Sequence, residues 1–418
     1  MKNFVYSTKF NISISIIEKI TQLLVTLLCL KIMAKSLSLE DYGKYTYAAS
    51  LVVMFGSLTC WAGSELIIPK LSRYKYLRPS IITHGWYLRV FYTVFSFIIG
   101  IFIAYFYIND DKIRFVFLIL MLMPIFMEVG GIFICWFMVI NQYIWISLAR
   151  FLGLIIRLCA VYCIAFYKFS FEYFAYAYLF ELIAFSVFLH SAYFNSEQRM
   201  RWVKFDKVIL KKLLYNGALI GIGLSTSFLF LRLDRFFLEK YVSFSELSIY
   251  STAMQLSDAF ILVVQSILIV LINRLIFAYK TPRKIKQIIF FILGISLCGI
   301  VGCMILSEYI IYFLLDDRYI KSAHVLNLAV CIAPFILLNY LFYNIFLHYK
   351  CYILIGSIWV FGVVSMLILC NILIPEFHIY GAVYSIGISY LLMNIVYVYK
   401  YVKLRQMLDK KIELGKIY

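Results

Sequence analysis

The segment LSLEDYGKYTYA at residues 37–48 returns, in altered form, as VSFSELSIYSTA at residues 242–253. The two copies lie 205 residues apart in a chain of 418, and Ser, Tyr and Ala coincide at three positions. The match extends from Lys35 over Lys240 to Leu51 over Leu256. Because both copies fall at corresponding places in the two halves of the chain, the pattern predicts a duplicated architecture.

The composition around this repeat is typical of a protein that crosses a membrane many times. Apolar residues make up 64% of the chain and charged residues 14%, and the mean hydropathy is +0.92. A soluble fold has no means of burying so much apolar surface, which excludes soluble enzymes, disulfide scaffolds and disordered chains. A span needs about 20 apolar residues. Twelve stretches fit: 10–34, 44–68, 80–107, 114–139, 148–167, 172–194, 213–238, 247–273, 287–313, 325–347, 352–374 and 380–402.

The charges predict the orientation of these spans. The chain has 39 Lys and Arg against 21 Asp and Glu, a net charge of +18. With the N-terminus inside, the predicted inner segments hold 25 of the cationic residues and the outer segments hold 8. This positive-inside pattern places both termini in the cytoplasm. The basic inner surface suits the anionic headgroups of the lipid bilayer, so no nucleic-acid partner is needed.

Each half of the chain contains six predicted helices. Because six is an even number, the second half starts on the same side of the membrane as the first and has the same orientation. We therefore expect an all-α polytopic protein with about 12 transmembrane helices in two lobes around a central cavity. The N-terminal lobe is predicted at 1–200, the C-terminal lobe at 201–403 and a basic cytoplasmic tail at 404–418. Such repeats are typical of transporters that rock their lobes for alternating access.

Two sequence features concern helix packing. Pro124 and Pro334 fall inside predicted spans and should kink them, because proline removes a backbone hydrogen bond. Gly217 and Gly221 form a small-xxx-small step, which predicts a close approach of helices.

The sequence disfavours an enzyme. Walker, HExxH and GxSxG motifs are absent, and none of the ten cysteines forms a CxxC pair. We therefore expect no cofactor and no metal. A membrane polysaccharide polymerase is a candidate from another class. It should carry a long outer loop with catalytic Arg or His residues, and the short predicted outer segments of this chain contain no such loop. A non-catalytic membrane scaffold leaves the intramembrane charges unexplained.

Two segments resemble those of polysaccharide flippases. AKSLSLEDYGKY at 34–45 resembles their A-R-x-L-G-x-E-x-[FY]-G-x-Y segment after the first helix. LDRFFLEK at 233–240, followed by IYSTA at 249–253, resembles their D-R-x-x-L-G-K … G-x-Y-x-x-A segment after the seventh. The chain departs from this pattern where the family has glycines, at Ser38, Glu239 and Ser248. It is thus similar to the Wzx-type O-antigen and capsule flippases of the multidrug/oligosaccharidyl-lipid/polysaccharide (MOP) exporter superfamily.

This resemblance implies a flippase for polysaccharide biosynthesis. Its substrate would be an undecaprenyl-pyrophosphate-linked oligosaccharide repeat unit of lipopolysaccharide O-antigen or capsule. The protein would carry it from the inner to the outer leaflet of the bacterial cytoplasmic (inner) membrane, alongside a polysaccharide polymerase and a chain-length regulator. The alternative within transport is a cation-coupled multidrug exporter of the same superfamily.

Thirteen charged residues lie inside the predicted spans. Each costs about 2.5–3.5 kcal/mol at the bilayer centre on insertion scales, so each needs a partner, water or ligand. Arginine binds pyrophosphate through its planar fork. The sequence therefore predicts a cationic cavity for the substrate headgroup, formed by Arg89, Arg157, Arg232, Arg235 and Lys19. The nearly equal number of anions leaves structural ion pairs as the alternative, among them Asp234 with Arg235.

Four intramembrane carboxylates are predicted to couple transport to H+ or Na+: Glu18, Asp258, Glu128 and Glu181. Glu18 belongs to a polar stripe on the first span, formed by Asn11, Ser15, Glu18, Gln22, Thr26 and Cys29. Asp258 belongs to a similar stripe on the eighth, formed by Ser251, Gln255, Asp258 and Gln265. Both stripes are expected to face a wet cavity, and a buried interhelical hydrogen-bond seam is the alternative.

Overall fold

The computed structural model describes residues 8–197, 199–276 and 282–413, and this part of the chain contains helices and turns but no strand. The helices before residue 200 are α1 (Thr8–Ser36), α2 (Leu39–Gly56), α3 (Ser64–Arg73), α4 (Arg78–Phe106), α5 (Asp111–Leu120), α6 (Met123–Val139), α7 (Tyr143–Phe166) and α8 (Phe174–Phe194). The later helices are α9 (Lys207–Phe230), α10 (Leu233–Tyr241), α11 (Phe244–Ile276), α12 (Pro282–Leu314), α13 (Ser322–Cys331), α14 (Ala333–His348) and α15 (Tyr352–Glu413). Each of the twelve predicted spans overlaps one or two of these helices, which confirms the all-α membrane architecture.

Within the described residues, nine helical segments are long and apolar enough to cross a membrane, or ten when the bent pair α13 and α14 counts as one span. α15 is counted as one of these segments. At about 1.5 Å per residue its 62 residues would extend about 90 Å, three times the apolar core of a bilayer. It is broken at His378, whose φ is 50°. Two helices therefore occupy the stretch predicted as the last two spans.

The predicted kink at Pro334 is confirmed, and at Pro124 the predicted span is interrupted between two helices. Pro124 lies in the first turn of α6, just after α5 ends, and Pro334 lies in the first turn of α14. α13 and α14 meet at an angle of 41°. Proline fits the first turn because its missing N–H has no intrahelical partner there.

The repeat recurs in the geometry of the helix junctions. α1 ends at Ser36 and α10 ends at Tyr241, while α2 and α11 begin three residues later in each case. Ser38 Oγ accepts a hydrogen bond from the N–H of Asp41 at 3.0 Å. Ser243 Oγ accepts one from the N–H of Glu246 at 3.3 Å, at the same offset of 205 residues. The two copies therefore cap their helices in the same way.

Two compact units divide the chain. The first consists of Met1–Arg232, Ser243–Ser248 and Leu314–Asp316, and the second of Leu233–Val242, Ile249–Phe313 and Asp317–Tyr418. The first unit contains α1 to α9, and the second contains α10, α13, α14 and α15 with most of α11 and α12. The predicted lobe boundary after residue 200 stays a prediction.

α9 packs closely on the 3-10 turn Ser57–Ala62 within the first unit. Trp61 Nε1 donates to Ser225 Oγ at 2.9 Å, and that hydroxyl donates to the carbonyl oxygen of Ser57 at 2.9 Å. A Cβ at Gly217 would overlap the Trp61 carbonyl oxygen, and one at Gly221 would lie within 2.8 Å of three Trp61 atoms. The predicted close approach at the two glycines is thus confirmed.

Gly221→Ala should destabilise the protein by about 1–3 kcal/mol, because the added methyl group displaces the Trp61 side chain from its hydrogen bond. Gly302→Ala is the matched control. No atom lies within 4 Å of a Cβ at that helical position, so the change should be neutral or slightly stabilising. Thermal unfolding of both purified variants checks this, and equal melting temperatures would contradict the close packing.

Asp110 ties α5 to α2 in the connection before α5. Its Oδ1 accepts from the N–H of Lys112 at 2.8 Å and of Ile113 at 3.2 Å, and its Oδ2 lies 3.3 Å from Lys44 Nζ. Partial burial opposes ionisation, but the backbone hydrogen bonds and the Lys44 ammonium outweigh it, so the pKa of Asp110 lies below the usual 3.8. The ionised carboxylate is therefore the form that stabilises this connection.

Asp110→Ala should lower the free energy of unfolding by about 1 kcal/mol near neutral pH, through loss of the helix cap. Since folding lowers the pKa of Asp110, its ionised carboxylate stabilises the protein fully at pH values above the pKa that this group has in the unfolded chain. This stabilisation is lost as the pH falls through the folded-state value. The difference in melting temperature between wild type and variant should therefore shrink below the ordinary carboxyl pKa of 3.8. A difference that grows in acid would contradict this assignment.

Candidate substrate and coupling site

A buried ion pair joins α7 to α8 in the first unit. Arg157 Nη1 lies 2.9 Å from Glu181 Oε2, and the two side chains are 6% and 7% exposed. Arg157 Nη2 donates to Thr26 Oγ1 of α1 at 2.9 Å. Gly153, one turn before Arg157, allows this approach because a Cβ there would lie 2.8 Å from the Glu181 carbonyl oxygen. One arginine therefore holds three helices together.

Aromatic rings surround this arginine. The Arg157 guanidinium carbon lies 5.0 Å from the centre of the Tyr178 ring, a cation–π distance. The Tyr178 and Tyr45 rings are 6.1 Å apart, and Cys29 is fully buried beside the cluster. Arg157 Nε has no hydrogen-bond partner among the described residues. The guanidinium is thus enclosed by aromatic rings and the Cys29 thiol.

Glu18 makes a second contact between α1 and α7. Its Oε2 accepts from Ser147 Oγ at 2.8 Å, and its Oε1 lies 3.8 Å from Arg150 Nε. The Arg150 guanidinium carbon also lies 4.3 Å from the centre of the Phe185 ring. Two residues of the predicted polar stripe, Glu18 and Thr26, therefore accept hydrogen bonds from α7, as the alternative of an interhelical seam expects.

The rest of that stripe is divided. Gln22 is exposed and Cys29 is buried, while the side chains of Asn11 and Ser15 lie outside those that the structure describes. Some residues of the stripe therefore pack between helices, whereas Gln22 is exposed, so the stripe as a whole does not face one kind of environment.

A second buried pair joins α4 to α6. Arg89 Nη1 lies 3.0 Å from Glu128 Oε2 and donates to the Glu128 carbonyl oxygen at 3.1 Å. Arg89 Nη2 contacts Cys135 Sγ at 3.7 Å. The side chains of Arg89 and Glu128 are 4% and 14% exposed, and a Cβ at Gly131 would overlap the guanidinium. The glycine therefore leaves room for the arginine.

In the second unit, Asp234 and Arg235 of α10 each bind a residue of α11. Asp234 Oδ2 accepts a short hydrogen bond from the Tyr250 hydroxyl, and Arg235 Nε donates to Ser251 Oγ at 3.3 Å. Asp234 is 1% exposed and Arg235 is 3% exposed. The expected ion pair between these two neighbours is replaced by two bonds to α11. Asp234 Oδ1 and Arg235 Nη1 have no hydrogen-bond partner among the described residues.

The other predicted site residues lie elsewhere. Lys19 is exposed on α1, Arg232 is half-buried in the turn that follows α9 along the chain, and Asp258 is half-buried on α11. The structure thus joins two predicted headgroup arginines, Arg89 and Arg157, to two predicted coupling carboxylates. A single cavity that contains all of these residues stays a prediction.

Three residues of these contacts were not among the predicted site residues: Ser147, Tyr178 and Tyr250. A signal for Tyr250 was present, because it is the counterpart of Tyr45 in the repeat and both tyrosines are buried next to an arginine. No pattern in the sequence marked Ser147 or Tyr178.

The sequence matches no family model and no curated protein. The fold, in contrast, matches solved transporters. The lipid II flippase MurJ, in its inward closed conformation, aligns with a TM-score of 0.72 and 14% identity over 95% of this chain and 88% of that one. An outward-facing multidrug resistance MATE family transporter of the MOP superfamily aligns with a TM-score of 0.69 and 16% identity over 96% of this chain and 97% of that one. A MOP superfamily transporter from Pyrococcus furiosus Vc1 gives 0.67 and 14% over 95% of both chains. The protein is a multi-pass membrane protein with the fold of MOP superfamily transporters.

Proposed function

We propose that the protein is a flippase for undecaprenyl-pyrophosphate-linked oligosaccharide repeat units of O-antigen or capsule. It moves them by alternating access from the cytoplasmic to the outer leaflet of the bacterial cytoplasmic membrane, and both of its termini are cytoplasmic. The two flippase-like segments and the fold shared with a lipid II flippase support this proposal. A polysaccharide polymerase and a chain-length regulator are its proposed partners.

The observation that carries the proposal is the pairing of Arg89 with Glu128 and of Arg157 with Glu181. A cationic drug finds no bare carboxylate at these positions, because an arginine already neutralises each one. An anionic pyrophosphate, in contrast, competes directly with a carboxylate for the same guanidinium, to which it binds through several oxygens.

The proposed coupling follows from this competition. When pyrophosphate takes the Arg157 guanidinium, Glu181 loses its partner in an apolar surrounding. A carboxylate is expensive to keep ionised there, so it takes up a proton or a sodium ion. Release of that proton or sodium ion to water as the headgroup leaves restores the ion pair. Arg232, Arg235 and Lys19 complete the proposed headgroup set, and Glu18 and Asp258 the proposed coupling set.

Deletion of the gene tests the proposal. Surface polysaccharide should disappear while lipid-linked repeats accumulate on the cytoplasmic side, and a plasmid copy should reverse both effects. Normal surface glycan in the deletion strain would exclude this function. Single repeats that reach the surface without further growth would instead indicate a polymerase.

A cation-coupled multidrug exporter is the second candidate, favoured by the full-length likeness to a multidrug MATE family transporter. Its deletion should raise sensitivity to cationic drugs and leave the surface glycan intact. The two readouts in one strain therefore separate the candidates.

A further inference from the structure

A cavity of about 440 Å³ opens at one end of the α7–α8 pair, within the first unit. It lies where α7 begins and α8 ends, the end that the charge pattern assigns to the cytoplasm. Its volume falls in the range of about 300–1,000 Å³ that is usual for small-molecule sites. Six lining residues carry the argument: Trp145 and Phe188 with their rings, and Gln142, Ser191, Asn195 and Glu197 with polar side chains.

The aromatic part of the cavity is a bent apolar wall. The rings of Trp145 and Phe188 lie 6.4 Å apart at an interplanar angle of 40°, and Trp145 is 38% exposed. The amides of Gln142 and Asn195 supply both donors and acceptors, the Ser191 hydroxyl supplies both, and the Glu197 carboxylate accepts. Flat apolar surface and neutral polar groups therefore occur side by side.

The charge of the lining restricts the ligand. None of the described lining residues is Lys, Arg or His, although the predicted cytoplasmic segments are rich in Lys and Arg. A phosphate needs cationic donors that this lining lacks. Glu197 is exposed, so water screens its attraction for an organic cation. The lining suits a neutral ligand that has many hydroxyl groups and an apolar face.

We propose that this cavity binds a neutral pyranose ring at the cytoplasmic surface, outside the intramembrane ion pairs. The C–H face of the sugar packs on Trp145, and its hydroxyls bond to Asn195, Gln142 and Glu197. The source of the sugar rests on the proposed function: it is the glycan end of a lipid-linked repeat unit. The cavity thereby recognises sugar separately from pyrophosphate.

Saturation-transfer NMR on the full chain in lipid nanodiscs tests the proposal, with N-acetylglucosamine and methyl galactopyranoside as probes. Saturation should reach the ring protons of at least one probe, and Trp145→Ala should weaken binding about tenfold. Trp202→Ala is the matched control, because Trp202 is 40% exposed but packs on Trp86 outside the lining. Asn195→Ala, at an exposed position, should also weaken binding and covers the case in which Trp145→Ala does not fold.

Three outcomes overturn the proposal: no transfer to either sugar, equal transfer in Trp145→Ala and wild type, or displacement of both sugars by tetraphenylphosphonium or inorganic phosphate at this site. Glycan export by the deletion strain complemented with each variant is a separate readout. Sugar binding by a protein that supports no export would retain this site and remove the proposed function. Export without sugar binding would remove this site alone.

Discussion

Arg157→Leu should abolish surface polysaccharide and lower the free energy of unfolding by about 3–5 kcal/mol, since it leaves a buried charge without its partner. Glu181 loses the guanidinium 2.9 Å away, and Thr26 loses its donor from α7. Thermal unfolding of the purified variant and extraction of surface glycan from the complemented deletion strain measure the two effects. Lys112→Leu is the control, because Lys112 is 63% exposed in its pair with Glu172 and an exposed pair contributes at most about 1 kcal/mol.

The double variant Arg157→Leu with Glu181→Leu separates a working ion pair from a structural one. Two apolar side chains often replace a buried ion pair without loss of stability. The double variant should therefore regain the wild-type melting temperature while transport stays lost. Recovery of both stability and export would show that the pair serves folding alone and would remove it from the headgroup site.

Tyr250→Phe should destabilise the protein by about 1.5–3 kcal/mol, the usual value of a hydrogen bond to a charged group. Asp234 Oδ1 already lacks a partner among the described residues, so loss of the hydroxyl leaves the whole carboxylate without one. Adding Asp234→Leu to Tyr250→Phe should recover part of the loss, because the buried charge is then absent. Thermal unfolding of the single and double variants measures this coupling.

Tyr45→Phe is the matched control for Tyr250. The two tyrosines are counterparts in the repeat and both are buried, but the ring of Tyr45 packs on that of Tyr178. A phenylalanine at position 45 preserves that packing, so its effect should be the smaller one. Equal losses at the two positions would contradict the role of the Asp234 carboxylate.

The spans were predictable because the thickness of the bilayer fixes the length of an apolar segment. The helix breaks were predictable only where proline marks them, as at Pro124 and Pro334. The break between α9 and α10 has no proline, and the sequence predicted one continuous span at 213–238. The break at His378 falls between two predicted spans, although no glycine marks its positive φ in the sequence.

The types of the site residues were predictable, but most of their partners were not. Arg157 and Glu181 lie 24 residues apart on different helices, so their meeting depends on the rotation and depth of both. The two neighbours Asp234 and Arg235 do not form the expected ion pair with each other. Neighbouring residues of a helix point about 100° apart, so these two side chains diverge and bind the adjacent pair Tyr250 and Ser251 instead.

Reconstitution of the purified protein into liposomes tests the central claim most directly. Undecaprenyl-pyrophosphate-linked glycan is placed in both leaflets, and an added glycosidase reports the fraction that is accessible from outside. With this protein, the protected inner fraction should become accessible with time, faster under an imposed proton or sodium gradient and not with Arg157→Leu/Glu181→Leu. A protected fraction that stays unchanged with folded wild-type protein would contradict the account.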